Sequence, residues 1–129
     1  MEKFLLLVRE DINMLKKIGN EGRYENMRDM MNWVESLAES GNYIGGEPLV
    51  LAGKYVSHHD VLSDGPFIET KEGISGYIFM QAENIEQAAS IAQSCPLVLQ
   101  NRMILEVRPI MIVDKTLLDT NLHDLLTIE

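Results

Sequence analysis

Phe4-Leu5-Leu6-Leu7-Val8 is an unbroken apolar run, and Arg9, Glu10 and Asp11 end it abruptly. A run this short, apolar on both alternating sides, suits a central strand better than a helix. It falls short of the about 7 to 15 apolar residues of a signal core, and no stretch of the chain approaches the about 20 of a membrane span. A strand of this kind needs cover on both faces, so the rest of the chain is read for what supplies that cover.

The surest helix runs from Tyr24 to Ser40, where Tyr24, Met27, Met30, Met31, Val34, Leu37 and Ala38 recur at steps of three and four. Trp33 lies beside this stripe and is read as covering the edge of the core or a subunit contact. Gly41 stands where a left-handed C-terminal cap is wanted. Before this helix, Asp11 to Lys17 reads as a brief helical turn stopping at Gly19. After Gly45-Gly46-Glu47-Pro48, Leu49 to Leu51 and Lys54 to Ser57 read as extended pieces, with a hairpin turn near His58 and His59. Ile74 to Ala82 is a stronger strand. Asn84 opens a second helix with Gln87 as capping partner and Ile85, Ala88, Ala89, Ala92 and Cys95 inward, and Pro96 ends it. Met103 to Val113 is the last strand.

The order β-α-β-β-α-β predicts an α+β, ferredoxin-like split β-α-β plan, an antiparallel sheet with both helices on one face. The other sheet face is then bare, and two copies packed sheet to sheet would bury it, so a homodimer is expected. The 129 residues are 46% apolar and 24% charged, which fits one soluble domain without repeats or linkers. Its 11 Lys and Arg against 20 Asp and Glu leave a net charge of −9, which disfavours binding to a phosphate backbone. No nucleic acid, membrane, metal or cofactor is expected as a partner, and the cytoplasm is the default location. With Cys95 alone there is no internal disulfide.

Asp64-Gly65-Pro66-Phe67, continued by Glu69-Thr70-Lys71-Glu72 and Gly76-Tyr77, resembles the signature of the DGPF group of YCII-related proteins. Trp33 to Leu37, Gly45-Gly46-Glu47-Pro48-Leu49, Ala88-Ala89, Cys95-Pro96 and Glu106-Val107-Arg108-Pro109 extend the likeness. The resemblance implies a dimeric α+β barrel over residues 1–113, leaving 114–129 as a tail docked on its own or the partner subunit. It also implies, for much of the family, an unassigned function. Some relatives use a His and Asp pair in the cleft, whereas the first helix here holds no His. Others are encoded beside, or fused to, sigma factors of the extracytoplasmic type.

Four residues are candidates for ligand contact. Gly65 and Pro66 make a stiff corner, and Asp64 either caps it or faces the cleft as an acid, base or orienting group. In the last strand Met103, Leu105, Val107 and Met111 share the core face, which turns Ile104, Glu106, Arg108 and Ile110 to the bare face. Arg108 is the natural contact for an anionic ligand; alternatively, Glu106, Arg108 and Glu72 form a salt-bridge network that holds the dimer. His58 and His59 point opposite ways if extended and read as a turn, and Cys95 reads as a small buried residue. The expected function is a cleft that binds a small polar or anionic molecule, with catalysis left open. The alternative is an interaction protein with a sigma-type transcription partner.

Overall fold

In the computed structural model, which describes residues 1–63, 72–112 and 121–128, the Phe4 to Val8 run lies inside strand β1 (Glu2–Asp11). The elements that follow are α1 (Ile12–Glu39), β2 (Tyr43–Pro48), β3 (Lys54–Val56), β4 (Val61–Ser63), β5 (Glu72–Ala82), α2 (Ile85–Gln93), α3 (Pro96–Leu99), β6 (Ile104–Pro109) and α4 (Leu122–Leu126). β1 is central as expected, between β5 and β6 in an antiparallel sheet of order β2-β5-β1-β6. With β3 and β4 as a separate hairpin between β2 and β5, this is the ferredoxin-like plan.

Register decides which side chains share a face. Phe4 pairs with Met80 and Leu6 with Ile78, and all four are buried. Leu105 and Val107 of β6 join them, and Trp33 and Leu37 of α1 with Ala88 and Ala92 of α2 close the core from above. Leu5, Leu7 and Arg9 point to the opposite face, as strand alternation requires. That face carries no helix among the described residues, so the sheet has one dry side and one open side.

The helix caps are written in the sequence. Asn84 accepts from the Gln87 N–H at 2.8 Å, while the Gln87 side chain accepts from the Glu83 N–H at 2.6 Å. Gly41 takes φ +79°, and the Gly41 and Asn42 N–H groups donate to the Ala38 and Leu37 carbonyls, closing the α1 terminus. Pro96 ends α2 and also starts α3, a turn that the sequence reading lacked; it buries Leu97 beside Cys95. The hairpin turn falls at His58 and His59, where the Ser57 N–H donates to the Asp60 carbonyl at 2.8 Å.

Five expectations are corrected. Helix α1 spans residues 12 to 39, with a kink at Gly19 (φ 70°, ψ −171°) where the sequence suggested a stop and a gap before Tyr24. The strand near Pro48 lies before it, at Tyr43–Pro48, and Leu49 to Leu51 are outside any strand. Strand β6 ends at Pro109, and Met111, expected inside, is 44% exposed. Most important, α1 is rotated: Trp33 is buried in the core, whereas Tyr24, Met27 and Met31 are exposed. The buried polar member of the helix explains the turn. Asn26 accepts at Oδ1 from Arg102 Nη1 at 2.8 Å, and Asp29 Oδ2 accepts from Arg102 Nη2 at 2.9 Å, so that edge of α1 is tied to the segment before β6. Ala89, also expected inside, is exposed on the outer side of α2.

The Asp29 to Arg102 pair gives a pH dependence. Its hydrogen bond to Arg102, above all, holds the Asp29 carboxyl below the usual carboxylate range. A carboxyl lowered on folding stabilises the fold above its unfolded value, about 3.9, and that contribution is lost as pH falls through the lower folded value. Asp29→Asn should therefore melt below the wild type at neutral pH, and the gap should close below about pH 4. Melting curves from neutral to acid pH check this; a gap of constant size contradicts it.

Candidate functional site

The open sheet face has an apolar middle and charged margins. Leu5 and Leu7 on β1 sit opposite Phe79 and Tyr77 on β5, and the Tyr77 and Phe79 rings meet edge to face with centroids 5.6 Å apart. Phe79 keeps 38% of its surface accessible. On the β6 side Glu106 pairs with Leu7 and Arg108 with Leu5, so both side chains lie on this face, as the alternation predicts.

Glu106 is held from two sides. Arg9 Nε donates to Glu106 Oε1 at 2.9 Å, and Arg108 Nη1 donates to Oε2 at 3.2 Å. The Arg9 hydrogen bond is the main reason that the Glu106 carboxyl is pushed below its ordinary value, with Arg108 adding to it. Glu106 is therefore a fixed negative charge near neutrality and no proton donor. Two guanidinium groups share this one carboxylate, so the trio keeps a net positive charge on an acidic protein. Arg108 is the open member, with 67% of its side chain accessible against 29% for Arg9. An exposed guanidinium already fixed at one nitrogen can still grip a carboxylate or phosphate through the others.

Arg9 is the residue that sequence reasoning missed. The signal was present, since Leu5, Leu7 and Arg9 alternate onto one face of β1, but its meeting with Glu106 depends on the β1 to β6 register. At the β2 margin of the face, Tyr77 Oη donates to Glu47 Oε2 at 3.0 Å, and that bond raises the Tyr77 hydroxyl pKa. The face thus runs from a positive β6 side to a negative β2 side.

The other candidates are placed as follows. Asp64 and the Gly65-Pro66-Phe67 motif lie outside the described residues, as does the side chain of Glu72, whose backbone pairs with Asp11. His58 and His59 are exposed at the hairpin turn, with ring centroids 5.1 Å apart. Cys95 is fully buried, and burial pushes its thiol pKa up, which makes it an inert core residue. Among the described residues no group of three or more His, Cys, Asp and Glu is arranged to hold a metal, and no helix is long and apolar enough to cross a membrane.

A second concavity lies on the helix side, where α1 stands away from the end of β2. Its volume is about 870 Å³, Val8 and Ile78 are among the residues at its base, and Met27, Met30, Met31 and Leu49 are among those on its walls. Neither Glu106 nor Arg108 borders it. The sequence reading had no place for this groove, because it put the methionines in the core.

No curated protein matches the chain. Among solved structures it is similar to 5-chloro-2-hydroxyhydroquinone dehydrochlorinase from Burkholderia phenoliruptrix, a complex with 2,5-dihydroxybenzoquinone, at TM-score 0.54 and 16% identity over 84% of this chain and 93% of that one. At that identity the likeness is one of fold. Residues 3–113, a span that holds the four-stranded sheet but for Glu2 and every residue of the charged trio, match the YCII-related domain, and the chain belongs to that family.

Proposed function

We propose that the protein is a cytoplasmic homodimer of the DGPF subgroup, with residues 1–113 as its domain, and that it binds a small polar or anionic molecule in the cleft between two open sheet faces. Arg108 grips the anion, Arg9 and Glu106 hold Arg108 in place, and Asp64 and Glu72 are the further candidates for ligand contact. The observation that carries this reading is the charged trio: two arginines on one carboxylate, beside a partly exposed Phe79, on a face without a helix. Binding is favoured over catalysis, because the trio contains no group that titrates near neutrality and both described histidines of the hairpin lie at its turn.

Arg108→Ala tests the anion grip. A hydrogen bond to a charged group is worth about 1.5–3 kcal/mol. Its loss weakens binding by roughly 10- to 100-fold. In a thermal-shift panel of small carboxylates and phosphates, compounds that raise the wild-type melting point should fail to raise that of the variant, which should still sediment like the wild type. An equal shift in both proteins refutes the assignment.

One observation favours a second reading, an interaction protein with a sigma-type transcription partner. Leu122, Leu125 and Leu126 of α4 fall on one helical face, yet they are 67%, 47% and 75% exposed on the single chain. In the homodimer reading this tail docks on its own or the partner subunit. In the interaction reading it meets another protein.

A further inference from the structure

We infer that helix α4 of a second copy of this chain seats its leucines in a groove between α2 and β6, so that each subunit of the proposed homodimer completes the core of the other. The groove has a volume of about 680 Å³ and is distinct from the concavity at α1, since no residue of α1 or β2 borders it. Ala89, Val98, Leu105 and Val107 are among the residues that line it. They mark a gap in the helix layer. Phe4, Leu6, Ile78 and Met80 on the core face of β1 and β5 are buried, whereas Leu105 and Val107 on the same face of β6 are only half-buried. The helices cover the inner strands and fall short of the outer one. Ala89 and Ala92 on this side of α2 are small enough for a further helix to come close.

The chain carries a surplus helix of the right kind. Leu122, Leu125 and Leu126 share one face of α4, His123 and Asp124 lie off it, and the Asn121 side chain caps the start by accepting from the Asp124 N–H at 3.1 Å. Five residues do not hold a helix in water by themselves, since isolated helices shorter than about 12–15 residues are marginal. Support must come from packing. Yet the three leucines are 47–75% exposed on their own chain, and none of the described tail residues borders the groove of that chain. A second copy offers what the single chain lacks, an apolar groove of its own. The tail follows directly on β6, and the eight residues between Ile112 and Asn121 reach at most about 29 Å when extended. Face-to-face sheets stand about 10 Å apart, so the tail of one subunit can pass the β6 edge of the other to its helix side. Two-fold symmetry makes the exchange reciprocal, with two helices in two grooves.

Gln93→Cys puts a thiol at the groove and Thr127→Cys one at the end of α4, both at exposed positions, while the buried Cys95 does not compete. Treated with a short bismaleimide, the full chain carrying both should be linked between subunits into a species of twice 14.6 kDa, and neither single variant should link. Adding Leu122→Asp and Leu125→Asp, at positions exposed on the single chain, should keep a cooperative melt and lower the yield of linked pairs by roughly tenfold or more, because an apolar groove cannot pair the new carboxylates. The exchange rests on the homodimer proposed above, and sedimentation of the untreated double variant separates the two. A mass of one chain refutes both. A mass of two chains with the link inside one chain assigns α4 to its own groove. A mass of two chains with no link, with links through either single cysteine, or with links insensitive to the aspartates gives α4 another surface. Each of these overturns the exchange and spares the homodimer.

Discussion

Trp33→Ala should cost about 3–5 kcal/mol of folding stability, the usual range for removing a fully packed aromatic side chain. Trp33 is 7% exposed and belongs to the core cluster with Phe4, Leu37, Ala88 and Leu97. The loss combines the transfer of a large apolar group with a cavity where the sheet, α1 and the α2 to α3 turn meet. Against the about 5–15 kcal/mol that holds a domain of this size together, the variant sits near the edge of folding. With a urea dependence of about 2 kcal/mol per molar, the unfolding midpoint should fall by roughly 2 M. A residue at the core edge or in a subunit contact, as the sequence suggested, would shift the midpoint by well under half of that. Equilibrium urea titration followed by far-ultraviolet circular dichroism, which does not depend on the lost indole, separates the two.

Phe79→Glu should break the proposed homodimer and leave the monomer folded. Phe79 faces away from the core and is already 38% in contact with water, so a single chain tolerates a carboxylate there. Its neighbours across the strands are Leu5 and Gly45, neither of which can pair with the new charge. In a sheet-to-sheet interface the same carboxylate is taken out of water. By the two-fold symmetry expected of such a dimer it is introduced in both copies. A penalty of about 3 kcal/mol or more raises the dissociation constant at least 100-fold. Size-exclusion chromatography should show the variant at the position of a single 14.6 kDa chain, with a cooperative melt. A variant that stays associated places the interface elsewhere.

Local signals carried most of the fold. β1 was legible because no polar residue interrupts Phe4 to Val8, and the ends of α2 and α1 because Asn84, Gln87 and Gly41 are good caps for geometric reasons. β2 was shifted because Gly45, Gly46 and Pro48 are poor strand formers, and only pairing with β5 makes a strand of them. The rotation of α1 was hidden for a different reason. Periodicity cannot tell a methionine from a tryptophan, and Asn26 is paired with an arginine 76 positions further along. The helix-side groove was hidden with it.

The site was legible to the same depth. Strict alternation in β6 was enough to put Glu106 and Arg108 on the open face, because it depends on one strand alone. Arg9 needed the register between two strands, which a single sequence leaves free. The contribution of Asp64 depends on a corner outside the described residues, so it stays a proposal, as does the ligand role of Glu72.

Sedimentation equilibrium of the unmodified chain bears most directly on the paired sheet faces. Across micromolar concentrations the protein should behave as a species of twice the 14.6 kDa chain mass. A mass of one chain throughout that range would leave Leu5, Leu7 and Phe79 facing water, and would contradict the cleft together with the role given to Arg108.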